Sequence, residues 1–142
     1  MEIEFTPLAS RGFQETVKHI KANQVSAIRI NSADGYRRKD LEILRELPWV
    51  THLEIVMDDD TEWSPISSLR DLTWLSVDSP MDLDLAQFSK LTVFYGEWHT
   101  AQNIQSCAGL RQLAIGKLRA DDMQFFEACE QLEDLVLVKS NI

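Results

Sequence analysis

Six short apolar blocks recur along this 142-residue chain at nearly even spacing. They run Val25-Ile28-Ile30, Val50-Leu53-Ile55, Leu72-Leu75-Val77, Leu91-Phe94-Gly96, Leu110-Leu113-Ile115 and Leu132-Leu135-Leu137. Ile3-x-Phe5 fits a seventh block at the start of the chain. The middle positions Ile3, Ile28, Leu53, Leu75, Phe94, Leu113 and Leu135 lie 25, 25, 22, 19, 19 and 22 residues apart. A second column checks the register: three residues before each complete block stand Ala22, Leu47, Leu69, Phe88, Cys107 and Cys129, all apolar. A chance enrichment in leucine would not hold two columns in phase across loops of different length. Self-similarity of this kind restricts the chain to units that cannot bury their apolar faces alone and must stack on one another.

The Leu-x-x-Leu-x-Leu shape of these blocks, and repeat lengths of 19–25 residues, resemble those of leucine-rich-repeat proteins over essentially the whole chain. The resemblance implies an α/β fold: a leucine-rich-repeat-like right-handed solenoid with a parallel sheet on one face and helices or turns on the other. It also implies a single domain over residues 1–142 with about seven strands. The chain departs from the family at the position that normally carries Asn, which holds Leu8, Ala33, Asp58, Pro80, His99, Leu118 and Ser140. Each turn is therefore expected to satisfy its own backbone groups.

Within each block, period-two alternation predicts a short strand with one buried face. The connections bring successive strands back parallel, which favours right-handed coils. Three connections carry helix signals. Ser10 to Asn23 starts on a capping residue, places Phe13, Val17 and Ile20 on one face, and ends near Lys18, His19 and Lys21. Asp40 to Leu47 turns Leu41 and Leu44 inward and stops at Pro48; Asp121 to Cys129 does the same with Met123, Phe126 and Cys129. The two 19-residue repeats leave room only for turns or a 3₁₀ stretch.

Residues flanking the inner apolar positions form three outward columns. The first is Ala27, His52, Trp74, Val93, Gln112 and Asp134. The second is Glu4, Arg29, Glu54, Ser76, Tyr95, Ala114 and Val136, and the third is Asn31, Val56, Asp78, Glu97, Gly116 and Val138. Large aromatics ringed by charge are the composition of interface hot spots. His52, Glu54, Trp74, Ser76, Asp78, Val93, Tyr95 and Glu97 are therefore the expected partner-binding residues. Seven strands at about 4.8 Å make a face about 29 Å wide, on the order of 440 Å². A standard interface buries about 800 Å² per partner, so loops at the rim must contribute.

Charge and motifs narrow the function further. The formal net charge is −9 and the isoelectric point about 4.7, a field that repels nucleic acid and anionic membranes. Arg37-Arg38-Lys39, the basic cluster, reads as a solvated loop. No apolar run reaches the ~20 residues of a membrane helix, and the first residues lack a signal-peptide pattern, so the expected location is cytoplasmic. Asp58-Asp59-Asp60 with Glu62 lacks the glycine and spacing of a calcium loop. His19, His52 and His99 lack zinc-site spacing. Cys107 and Cys129, at equivalent positions of adjacent coils, are expected side by side as reduced core thiols. No phosphate loop, nucleophile elbow or metalloprotease helix is present. The expectation is a non-enzymatic protein-interaction module with no catalytic residue, metal or cofactor. An immunity-type inhibitor of a basic toxin or enzyme is one alternative, and a structural or self-assembling fragment is another. Basic proteins are the partner class that the acidity favours. The last strand is an exposed edge carrying Val136 and Val138, through which a second copy could pair.

Overall fold

The computed structural model describes residues 3–9, 12–36, 38, 40–57, 61–78, 83–97, 101–117 and 127–138. Its strands are β1 (Thr6–Leu8), β2 (Ala27–Asn31), β3 (His52–Val56), β4 (Trp74–Val77), β5 (Leu83–Asp84), β6 (Val93–Glu97), β7 (Ala101–Gln102), β8 (Gln112–Gly116) and β9 (Asp134–Val138). Seven of them form one wholly parallel sheet in chain order, β1-β2-β3-β4-β6-β8-β9. The two-residue strands β5 and β7 form a second parallel pair. The α-helix among the described residues, α1 (Phe13–Asn23), joins β1 to β2.

The columns predicted from the repeat are the rungs of the sheet. Ile28, Leu53, Leu75, Phe94, Leu113 and Leu135 lie opposite one another in successive strands. The first five are essentially inaccessible to solvent. The next inward rung, through Ile30, Ile55 and Val77 and from Gly96 to Ile115, is filled in an unusual way at β6. Gly96 leaves a void that the ring of Phe94 occupies, so a Cβ there would lie 2.6 Å from the ring's tip. One oversized residue and one absent side chain share a space that two aliphatic side chains fill in other strands.

The first block is shifted. Thr6 pairs with Ile28 and Leu8 with Ile30, whereas the repeat placed Ile3 and Phe5 there. Leu8, expected at the turn position, is fully buried beside Ile30. Because side chains alternate with period two, a slip of three residues moves Phe5 from the core face to the opposite face. Pro7, and not Glu4, is then the neighbour of Arg29 in the second column.

Behind the sheet the chain climbs in threes. Short 3₁₀ segments occupy Ser32–Asp34, Glu42–Glu46, Ser64–Ser68, Leu85–Gln87 and Ile104–Ser106. The Leu47 N–H donates to the Leu44 carbonyl and Val50 to Leu47. The same pair of bonds joins Ile66, Leu69 and Leu72, then Leu85, Phe88 and Leu91, then Ile104, Cys107 and Leu110. Three residues per turn eclipse every third side chain, so each triplet delivers three apolar groups to one wall. The helix expected over Asp40–Leu47 is thus a 3₁₀ segment, with Leu41 and Leu44 buried as predicted. The helix expected at Ser10 begins at Phe13, behind a left-handed Gly12 that offers no side-chain cap. Phe13, Val17 and Ile20 are its buried face. Ala22 is exposed, and Ile20 takes its place in the second column. Gln24 turns left-handed and donates to the Ile20 carbonyl, as does Val25. The segment 121–126 lies outside the described residues; Cys129 just after it is buried.

The missing asparagine column is replaced by capping carboxylates and amides. Asn31 accepts from the N–H of Ala33, Asp40 from Glu42, Glu62 from Ser64 and Asp84 from Ala86, at 2.8–3.1 Å. Each is an Asx-type bond to the second residue onward that starts a 3₁₀ turn. Hydrogen bonding to Ser64 depresses the Glu62 pKa, and Asn103 with the Ala86 N–H depresses that of Asp84. At the entrance to the strands a threonine ladder does similar work. The Thr51 carbonyl accepts from the N–H groups of Thr73 and Trp74 and from the Thr73 hydroxyl. The Thr73 carbonyl is met in the same way by Thr92 and Val93.

Candidate functional site: the exposed face of the sheet

Every residue predicted for the binding face lies among the described residues, and the structure brings most of them together. His52 sits opposite Trp74 and Trp74 opposite Val93; Glu54 sits opposite Ser76 and Ser76 opposite Tyr95. Asp78 follows β4 and donates its N–H to the Ile55 carbonyl at 2.9 Å. Glu97 ends β6 opposite Gly116.

Trp74 is the hub. Its ring meets Tyr95 edge-on at 5.4 Å between centroids and stacks over His52 at 6.3 Å. A third ring contact comes from Phe5, at 5.1 Å. Sequence reasoning missed Phe5 because a three-residue fragment offered no second column to check its register. The signal that could have found it is Ala27. A small residue at the first-column position beside a large aromatic leaves space that a neighbouring strand must fill. Phe5, the residue just before β1, supplies that ring, and Ala27 is buried despite facing outward.

The cluster alters its members. His52 is partly buried, and its Nδ1 lies 2.8 Å from the Thr51 hydroxyl. Burial disfavours the imidazolium and lowers its pKa below the usual 6.5. The Tyr95 hydroxyl donates to Gln112 Oε1 at 3.4 Å. The aromatic ridge therefore runs from Phe5, just ahead of β1, to Tyr95 on β6, where Gln112 of β8 takes the Tyr95 hydroxyl.

Toward the other end the face opens. Ser76, Ala114 and Gly116 are too small to fill it, and a groove of about 390 Å³ lies among them, Tyr95, Glu97 and Asp78. Lys117, held left-handed with its N–H on the Val138 carbonyl, pairs with Glu97 at 3.3 Å. Arg29 pairs with Asp34 at 2.9 Å. Neither Glu54 nor Asp78 has an ion-pair partner among the described residues.

Other candidates resolve into structural roles. Cys107 and Cys129 are buried free thiols, and the Cys107 Sγ donates to the Leu85 carbonyl. Burial, then Cys129, then Asp84 push the Cys107 thiol up to about 11, the opposite of an activated nucleophile. Glu62 caps its own turn, while Asp58, Asp59, Asp60 and His99 lie outside the described residues. His19 is exposed and bonds to Asn23 on its own helix. Of the basic cluster, Arg38 lies over the Phe13 ring at 4.4 Å; Arg37 and Lys39 lie outside the described residues. No group of metal-ligating side chains occurs among the described residues, and no helix there is long and apolar enough to cross a membrane.

The parallel stack has a counterpart among solved structures. An internalin C2 from Listeria monocytogenes strain 4b F2365 superposes with a TM-score of 0.52 at 17% identity, over 80% of this chain and 62% of that one. The fold is leucine-rich-repeat-like. An internalin (inlF) from the same strain is matched more loosely, with a TM-score of 0.43 at 15% identity over 83% of this chain and 49% of that one. This chain thus spans less than two thirds of the length of either. No protein-family model matches the sequence, and no curated protein is significantly similar to it.

Proposed function

We propose that the chain is a non-enzymatic protein-interaction module, a right-handed solenoid that holds its partner on the exposed face of the parallel sheet. The observation that carries this is the aromatic ridge centred on Trp74. Three ring contacts fix it in one conformation, so little side-chain entropy is lost when a partner covers it. Rigid aromatics flanked by polar groups dominate binding energy in protein interfaces. The test is affinity capture from the native source with three baits: wild type, Trp74→Ala/Tyr95→Ala, and Glu42→Ala on the opposite side. A protein retained by wild type and Glu42→Ala but lost by the double variant is the expected result. Equal recovery by all three would remove the sheet face from consideration.

An inhibitor of a basic enzyme is the form of this function that the charge of −9 favours. Association would then be electrostatically steered and slow as salt rises. A second function rests on a separate observation. In β9, Leu135, Val136 and Val138 are 37%, 54% and 47% exposed, so a second copy could pair along that edge. Light scattering over a concentration series should show a dimer, and a monomer throughout would rule that form out.

A further inference from the structure

We infer that the groove beside the aromatic ridge receives an arginine side chain of the partner protein, stacked on Tyr95 and bonded to Asp78 and Glu97. The inference rests on the sheet face being the working face and says what enters it.

Shape comes first. The ridge fills the entry end of the face, but beyond it Ser76, Ala114 and Gly116 leave a groove of about 390 Å³ open to solvent. That is room for one long side chain. One wall is the Tyr95 ring, whose orientation is fixed by Trp74 and by the bond to Gln112. A planar cation can stack on such a ring at little entropic cost.

Charge comes second. Asp78 and Glu97 line the groove with one cation, Lys117, while Glu54 stands on the adjacent strand opposite Ser76 and Arg29 one strand further. Both cations are already committed, Arg29 to Asp34 and Lys117 to Glu97. Glu54 and Asp78 flank Ser76, and neither forms an ion pair among the described residues, Arg29 beside Glu54 being bonded to Asp34. A ligand that is long, flat, cationic and rich in donors matches the groove's shape, ring and charge together, and guanidinium forks suit carboxylates. Lys117 is half-exposed, and its ammonium can swing aside to let the guanidinium reach Glu97.

The test needs no knowledge of the partner. Isotope-labelled protein is titrated with N-acetyl-arginine amide and, separately, with its neutral isostere N-acetyl-citrulline amide, following backbone amide shifts. The expected result is saturable shifts at Ser76, Asp78, Gly96, Glu97 and Gly116 with arginine. The dissociation constant should be on the order of 1 mM, what a ligand of that size reaches. Citrulline should leave these amides unmoved. Asp78→Asn should weaken arginine about tenfold. Lys117→Gln should tighten it about threefold, because a competing cation is gone. Equal shifts from citrulline, shifts scattered over the surface, or weaker binding in Lys117→Gln would overturn the inference. That outcome would leave the sheet face standing if the Trp74→Ala/Tyr95→Ala bait still lost its partner, so the two failures are distinguishable.

Discussion

At the scale of single residues, the chain solves its packing by local exchange. Phe94 and Gly96 are the clearest case, because the ring of one occupies the side-chain space of the other. Gly96→Ala should cost about 1–3 kcal/mol, the range for overpacking a filled core. Phe94→Leu should lose stability for the opposite reason. The double variant Phe94→Leu/Gly96→Ala should be more stable than the sum of the two losses predicts, and chemical denaturation of all four proteins measures that coupling. His52 makes a pH prediction. Its folded pKa lies below 6.5, so below about pH 6.5 the unfolded chain takes up the proton more readily. Stability is therefore full above that value and falls as pH drops through it toward the folded pKa. His52→Gln should flatten the stability–pH curve in this window. Asp84 and Glu62 work in a separate, more acidic window. Their pKa values are depressed, so the stability they add is present above their ordinary values and lost as pH falls through the depressed ones.

At the scale of elements, the strand columns were legible and the connections less so. Alternation within each block and the recurrence of the blocks placed β2, β3, β4, β6, β8 and β9 in register, since a one-residue slip would expose an entire inner face; the short pair β5 and β7 had no block to announce it. Block one had three residues and no second column, and it slipped. Asp40–Leu47 reads as a helix because apolar positions three apart fit both helical periods over a short window, whereas the two 19-residue repeats, read as turns or 3₁₀, carry the 3₁₀ segments Leu85–Gln87 and Ile104–Ser106. A strict spacing of three through the strand entrance, as in Ile66-Leu69-Leu72 and Ile104-Cys107-Leu110, was the signal for 3₁₀ geometry. The binding-face residues could be named from the columns. The rings' mutual contacts could not, because Phe5 reaches Trp74 from just ahead of β1, three strands away in the sheet. The threonine ladder was also present in the sequence as Thr51, Thr73 and Thr92 ahead of the first outward column. Thr73→Val removes one hydroxyl bond while keeping the shape, and should cost about 1 kcal/mol by thermal or denaturant unfolding. Trp74→Ala should also destabilise, by about 1–2 kcal/mol, because its ring contacts hold the face together. Binding measured with that variant is therefore compared at a temperature where both proteins are folded.

At the scale of the whole molecule, the two faces of the sheet divide the labour. One carries aliphatic rungs and triplet turns that stack coil on coil, so stability is distributed among neighbours. The other carries a fixed aromatic ridge, an open groove and unneutralised carboxylates, none of which the core requires in that form. The leucine-rich-repeat-like fold supplies the scaffold alone; the chemistry of the exposed face is this chain's own. Because the sheet face is on the order of 440 Å², a partner must also touch the rim loops to reach a standard interface. A partner protein is proposed to lie on the exposed face of the sheet. Site-directed photo-crosslinking tests it most directly, with benzoylphenylalanine at Ser76 on that face or at the exposed Gln105 on the turns behind, in native extract. A discrete crosslinked protein from position 76, suppressed by Trp74→Ala/Tyr95→Ala and not formed from position 105, is the predicted result. The same product from position 105, or from position 76 regardless of Trp74 and Tyr95, would contradict it.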